Sequence, residues 1–160
     1  MFPGSFDPLT VAHLAIADAV VAELEVLRVD LVVSSVPLAK EHLDQTPAAQ
    51  RIAHIRRHAT DRPWLDAAVT QHQLLADIAE GYDVLVVGAD KWHQLFDVSF
   101  YDGSSARRDD ALARLPRVAV APRAGVAVPT SADVHVLDVH PSLHEVSSTA
   151  VRSGRTDWRA

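Results

Sequence analysis

This chain predicts an α/β fold: a doubly wound parallel sheet of about five strands, in a single domain over residues 1–160. Three observations carry the prediction. Short β-branched apolar runs, clearest at Asp83 to Val87, alternate with longer segments whose apolar residues recur at helical spacing. Loops marked by Gly or Pro follow several of those runs directly, and in an open parallel sheet such loops share the edge where ligands bind. A length of 160 residues, 48% apolar, with no internal repeat or low-complexity tract, suits one hydrophobic core.

Taken in order, the first strand must end at Pro3-Gly4, with only Met1 and Phe2 ahead of it. The expectation is therefore either a reading frame that starts upstream of Met1 or a stunted central strand. Leu14 to Leu27 reads as one amphipathic helix, and Val29 to Val33 as a buried parallel strand. Pro37, Lys40 and Pro47 mark a loop, then Gln50 to Ala59 reads as a helix, Trp64 to Val69 as a strand and Gln71 to Ala79 as a helix closed near Gly81. After the strand Asp83 to Val87, Gly88-Ala89-Asp90 leads into a short helix near Lys91. Arg107 to Leu115 is a helix, Val118 to Ala121 a fifth strand closed by Pro122, and Val134 to Val139 a candidate sixth. Pro3-Gly4, Pro37 to Lys40, Gly88 to Asp90 and Pro122 to Gly125 then lie on one rim.

Composition narrows the function classes. A net charge of -6 argues against sequence-independent nucleic-acid binding, which needs a basic surface. The absence of cysteine removes disulfide frameworks and thiolate metal sites and fits a reducing compartment. No apolar run reaches membrane-spanning length and the N-terminus lacks a signal-peptide pattern, so the default expectation is a cytoplasmic protein away from membranes. Whether it forms a homo-oligomer is left open by the sequence.

The chemistry concentrates at Gly4-Ser5-Phe6-Asp7-Pro8-Leu9-Thr10-Val11-Ala12-His13. Gly4 permits close backbone approach to a ligand, Pro8 stops the strand, and Thr10 is a good N-cap that puts His13 in the first helical turn. A hydroxyl and an imidazole then sit at a helix start, where free N–H groups and the dipole favour an anion. At the other end of the chain, Ser147-Ser148-Thr149-Ala150-Val151-Arg152 reads as a second helix start, with Arg152 one turn on as a planar fork for phosphate. Gly88 ends a strand, and Asp90 offers an acceptor suited to ribose hydroxyls or, equally, an N-cap.

Gly4 to Pro8 followed by Thr10-x-x-His13 resembles the signature of the nucleotidyltransferase superfamily, whose usual pattern is Gly-x-Phe-Asp-Pro and then His or Thr, any residue, Gly, His. This chain has Ala12 at that last Gly. Val146 to Arg152 is similar to the superfamily's Ile-Ser-Ser-Thr-x-x-Arg. The resemblance implies a Rossmann-like fold and in-line attack of an acceptor phosphate on the α-phosphate of ATP, with pyrophosphate leaving and no covalent enzyme intermediate. It implies catalytic roles for His13, Thr10 and Lys40. ATP would be met by Gly4, Ser5, Phe6, Thr10, His13, Gly88, Asp90, Ser147, Ser148, Thr149 and Arg152. A mononucleotide acceptor would be met by Lys40, Thr70, Trp92 and Arg123. Mg²⁺ would arrive on ATP, held mainly by phosphates and water rather than by protein ligands.

Thr at the first motif position resembles the phosphopantetheine branch of the superfamily. Val87-Gly88-Ala89-Asp90, Arg123-Ala124-Gly125 and Ser148-Thr149-x-x-Arg152 resemble instead the nicotinate or nicotinamide mononucleotide adenylyltransferases. Lys40 after Pro37 stands where that group has Pro-Pro-His-Lys, and a solvated lysine is an equal reading. Trp92 reads either as an aromatic platform or as core, and Arg51 matches a helical arginine of the family. Class I aminoacyl-tRNA synthetases share the His-x-Gly-His idea but carry a Lys-Met-Ser-Lys-Ser loop that this chain lacks. Ala12 and the short first strand also suit a nucleotide-binding protein that has lost turnover.

His54 and His58 stand one helical turn apart with arginines between them, and read as a solvated helix face rather than metal ligands. His140 and His144 read as loop residues. The family continues past the second motif through a Leu-Val-Pro stretch, so Ser153 to Ala160 is expected to be a truncated or poorly ordered tail.

Overall fold

A computed structural model describes residues 1–35 and 46–160. Its elements are β1 (Phe2–Gly4), α1 (Val11–Leu24), β2 (Val29–Ser34), α2 (Ala48–Arg57), β3 (Leu65–Thr70), α3 (Leu75–Ile78), β4 (Val84–Gly88), α4 (Ala89–Gln94), α5 (Ser105–Ala113), β5 (Arg117–Ala121), β6 (Val134–Val136) and α6 (Ser148–Arg152), with short 3-10 turns between some of them.

All strand pairs are parallel. β1, β2 and β3 form one three-stranded sheet, with Phe2 opposite Leu31 and Val29 opposite Leu65. β4, β5 and β6 form another, with Val84 opposite Arg117 and Val118 opposite Val134. Met1 joins them: its amino nitrogen donates to the Val84 carbonyl at 2.7 Å, and its own carbonyl accepts from the Val86 N–H at 2.9 Å. That is the pattern of a parallel ladder, so the strands run in space β3-β2-β1-β4-β5-β6, the order of a doubly wound fold with its crossover between β1 and β4. The central strand is as short as the sequence implied, and the described residues form six strands, the candidate sixth included.

Side chains alternate along these strands and divide the core in two. Val84 and Val86 of β4 join Leu31 and Val33 of β2 against Leu14, Ala17 and Val20 of α1 and Ile52 and Ile55 of α2. Leu85 and Val87 face the other way with Val32, Val118 and Val120, against Ile78, Ala79 and Ala89. Helices therefore cover both faces, and the loops after β1, β4 and β5 emerge at one edge.

Several boundaries differ from the sequence reading for local reasons. α1 begins at Val11 because Thr10 is its N-cap, and it stops at Leu24 because Glu25 adopts a left-handed conformation (φ 54°). Leu27, expected inside that helix, is 95% exposed. Nor is α1 amphipathic: apolar Val11, Ala15, Ala19, Val21 and Ala22 occupy most of its less buried positions, and its charges are used as ties. Asp18 receives both Arg62 Nε and Nη2 at 2.8 and 2.9 Å, and Glu23 accepts from the Asp138 N–H and meets the His135 ring. α3 keeps only Leu75–Ile78 of the helix expected from Gln71, and β6 ends at Val136 rather than Val139.

The outer edge of β3 is guarded. Asp66 Oδ1 accepts from the Ala67 N–H at 2.7 Å, Arg56 Nη2 donates to the Ala67 carbonyl at 2.9 Å, and Arg56 and Asp66 are themselves paired. Both outward polar groups of Ala67 are thus occupied by side chains, which blocks further strand pairing there. Among the described residues no helix is long and apolar enough to cross a membrane.

Candidate active site

Thr10 and His13 are locked together by a capping box in which histidine plays the part usually taken by Glu or Gln. The Thr10 N–H donates to His13 Nδ1 at 3.1 Å, the Thr10 hydroxyl lies 2.9 Å from the same nitrogen, and the hydroxyl accepts from the His13 N–H at 3.4 Å. A backbone N–H only donates, so Nδ1 is the acceptor and the neutral ring carries its proton on Nε2. Nε2 has no partner among the described residues. Around the ring stand Phe6, edge-on at 4.9 Å, and Phe2 at 6.0 Å. Desolvation, and secondarily the positive charge of Arg123, lower the imidazole pKa from 6.5 to about 4. His13 is therefore a neutral, directed hydrogen-bond donor at pH 7.

Thr10 itself is fully buried, with its hydroxyl turned to His13. It acts through His13 rather than presenting a surface of its own. At Gly4 a Cβ would stand 2.8 Å from Phe6 Cζ, so the glycine leaves the space that the Phe6 ring fills. The Phe6 ring is in the core, where it braces His13 and leaves only its backbone at the loop. Ala12 is 3% exposed, so its methyl does not project from the surface of the site.

The second motif reaches the first. Ser147 caps α6 by accepting from the Ala150 N–H at 3.1 Å, Ser148 Oγ donates to the Pro8 carbonyl at 2.7 Å, and Arg152 Nη1 donates to the Asp7 carbonyl. Arg152 Nη2 also donates to Thr149 Oγ1 at 3.1 Å. Ser148 and Arg152 thus tie α6 to the opening loop, while among the described residues Ser147 Oγ and Thr149 Oγ1 accept hydrogen bonds and donate none, which leaves their protons to an anion. The loop after β5 joins from a third side, since Arg123 Nη1 donates to the Val146 carbonyl at 2.7 Å just ahead of α6. Its turn closes through an Arg123–Val126 bridge with Gly125 at φ 73°.

Gly88 ends β4 on the same rim. A Cβ there would meet Asp90 Oδ1 at 2.6 Å and Arg123 Cγ at 3.8 Å, so the glycine makes room for the Asp90 carboxylate beside Arg123. Trp92, one turn on, packs against the second core layer and meets Phe96 edge-on at 5.0 Å. Thr70 is not brought to this group. It closes β3, two strands from β1, where its hydroxyl accepts from the His72 N–H and its carbonyl from Ser35. Lys40 lies outside the described residues.

Ser153 to Ala160, expected to be a loose tail, is folded onto the opening loop. Arg159 bridges Thr10, the Ala160 N–H donates to the Leu9 carbonyl at 3.1 Å, and His54 Nε2 lies 3.2 Å from the Ala160 oxygen. His54 and His58 stack at 5.6 Å and so serve packing. An open depression lined by Leu27, Arg28, Trp64 and Asp66 lies at the amino ends of β2 and β3, on the opposite edge of the sheet.

Sequence reasoning gave little weight to one residue here. Arg51 is 6% exposed and hydrogen-bonds three backbone carbonyls, Thr46 at 2.8 Å, Ser5 at 2.6 Å and Ser34 at 3.2 Å. Its spacing carried the signal, since it shares a buried helical face with Ile52 and Ile55.

The cytidylyltransferase-like family model matches residues 1–154. The chain belongs to the cytidylyltransferase-like family. It is a nucleotidyltransferase in fold and kinship, as the paired motifs implied. No curated protein is similar enough to the chain to count as a match. Among solved structures it is similar to Plasmodium falciparum nicotinic acid mononucleotide adenylyltransferase complexed with NaAD, at 13% identity and a TM-score of 0.65, covering 95% of this chain and 80% of that one. In this family member the Thr10–His13 capping box follows the loop after β1, Ser148 and Arg152 tie the start of α6 to that loop, and Arg123 reaches the Val146 carbonyl just ahead of α6.

Proposed function

We propose that this nucleotidyltransferase transfers AMP from MgATP to the phosphate of a pyridine mononucleotide, nicotinate mononucleotide in preference to nicotinamide mononucleotide, releasing pyrophosphate in a step of NAD biosynthesis. The observation that carries the reading is the Thr10–His13 capping box, which fixes a neutral imidazole with its N–H on Nε2 at the helix start following β1. Such a reaction needs no enzyme nucleophile. The acceptor phosphate oxygen attacks the α-phosphorus in line as the bond to the pyrophosphate oxygen breaks, so catalysis rests on positioning and charge stabilisation.

In this reading His13 Nε2–H donates to a phosphoryl oxygen as charge develops, and Thr10 holds the ring. Ser147 and Thr149 donate to the β- and γ-phosphates, and Arg123 supplies positive charge near His13. Asp90, beside Gly88 at the end of β4, accepts from the adenosine ribose. Mg²⁺ comes with ATP as part of the substrate, neutralising phosphate charge. Lys40 and Trp92 belong to the acceptor side. The reaction suits a cytoplasmic setting.

The test is to incubate the protein with MgATP and, separately, nicotinate mononucleotide, nicotinamide mononucleotide and phosphopantetheine, and to measure pyrophosphate and the dinucleotide product. Turnover highest with nicotinate mononucleotide is expected. Pyrophosphate release only with phosphopantetheine would reassign the acceptor. Measurable ATP binding with no release for any acceptor would overturn the reading and leave a nucleotide-binding protein.

A further inference from the structure

We infer that Arg51 is a positioning residue for the candidate active site, setting the Ser5–Phe6 segment that braces His13. This inference rests on the proposed adenylyl transfer for its kinetic arm and on geometry for the rest.

A buried guanidinium ordinarily sits on a carboxylate, because removing the charge from water costs several kcal/mol. Arg51 makes no ion pair among the described residues. Nε donates to Thr46, Nη1 to Ser5 and Nη2 to Ser34, three carbonyls from three separate segments. Ser34 ends β2, Ser5 follows the end of β1, and Thr46 leads into α2, so the planar fork fixes the carboxyl ends of two neighbouring strands relative to one helix. Asp7 closes the arrangement from the opening loop, where its Oδ2 accepts from the Thr46 N–H at 3.0 Å.

The path from this fork to the imidazole is short. Ser5 is held through its carbonyl, Phe6 follows at φ 47°, and the Phe6 ring meets His13 edge-on at 4.9 Å. A non-glycine residue in the left-handed region is strained and persists only where its surroundings hold it. Arg51 supplies that hold on one side, and the Phe6 ring, seated over Gly4 in the core, supplies it on the other. Lysine cannot replace the fork, because one ammonium does not span three carbonyls in a plane.

The experiment compares Arg51→Lys and Arg51→Met with the wild-type chain, after urea melts have established the folded fraction of each. Both variants are expected to fold with lowered midpoints. The His13 ring and Phe6 ring NMR signals are expected to shift and broaden while those of the Glu23–His135 contact stay in place. With MgATP and nicotinate mononucleotide, kcat is expected to fall about ten- to a hundredfold with KM for ATP changed less than threefold, the signature of a group displaced by about 1 Å. A kcat that tracks only the folded fraction, or His13 signals unmoved in both variants, would overturn the inference. So would loss of folding in both, since Arg51 would then be a folding residue. Absence of turnover in the wild-type chain would count against adenylyl transfer alone, because the NMR arm reads Arg51 without it.

Discussion

The Thr10 N–H donates to His13 Nδ1 at 3.1 Å, and this bond decides which nitrogen of the imidazole carries the proton. With Nδ1 occupied as an acceptor, the donor is Nε2, and the residue meant to meet phosphate is set by a helix cap. The substitution Thr10→Ala removes the hydroxyl but leaves the backbone N–H. Loss of an N-cap costs about 1 kcal/mol. We expect a lowered urea midpoint and a kcat reduced several-fold, by contrast with Thr10→Ser, which keeps the hydroxyl and should restore both.

Burial gives His13 a pH signature. Its folded pKa is about 4 and its unfolded value 6.5, so between those limits the unfolded chain binds more protons and stability rises with pH. The contribution is full above pH 6.5 and is lost as the solution is acidified toward pH 4. Each pKa unit corresponds to about 1.4 kcal/mol, and the partial exposure of the ring reduces the total to about 1–3 kcal/mol. Urea midpoints measured from pH 7 to pH 4 should fall more steeply for the wild-type chain than for His13→Asn.

Arg123 and the nucleotide should move the same titration in opposite senses. Arg123 lowers the His13 pKa, so Arg123→Met should raise it, whereas triphosphate brought near Nε2 should raise it in the wild-type chain. NMR titration of the His13 ring signal reads both. An unchanged His13 pKa on saturation with MgATP would place the triphosphate elsewhere.

Ala12 occupies the motif's glycine position, and its methyl is covered. Ala12→Gly should therefore cost stability, about 1 kcal/mol from backbone entropy near a helix start, without tightening ATP binding. Calorimetric titration with MgATP alongside a urea melt checks both. A tenfold gain in affinity would show that the methyl crowds the phosphate after all.

The motifs were legible because their residues are constrained locally. Thr10 caps and His13 follows three residues later, so spacing alone gave a helix start suited to an anion, and it was the resemblance of Gly4 to His13 and of Val146 to Arg152 to the superfamily motifs that made them a candidate nucleotide site. What was not legible depends on contacts distant in sequence. A Cβ at Gly4 would meet the Phe6 ring and one at Gly88 the Asp90 carboxylate, contacts that the spacing does not show. Arg51 looked like one helical arginine among several until Ser5, Ser34 and Thr46 stood around it. Ser153 to Ala160 was expected to be truncated or poorly ordered because the family continues there through a Leu-Val-Pro stretch, yet its backbone pairs with Leu9 and Thr10. Helix ends shifted where one residue's φ decided them, as at Glu25.

The guard on β3 is separable from function. Arg56→Ala together with Asp66→Ala frees both outward groups of Ala67, and light scattering should show self-association rising with concentration while the wild-type chain does not change.

In the proposed reaction His13, held by Thr10, donates to the phosphoryl group in the transition state. Pyrophosphate release from MgATP with nicotinate mononucleotide, measured for the wild-type chain and for His13→Ala at matched ATP saturation, tests it most directly. Removing one such donor costs about 10²–10³ in kcat, so the variant should bind ATP within about threefold of wild type and turn over at least a hundredfold more slowly. A variant that turns over at the wild-type rate would contradict the account.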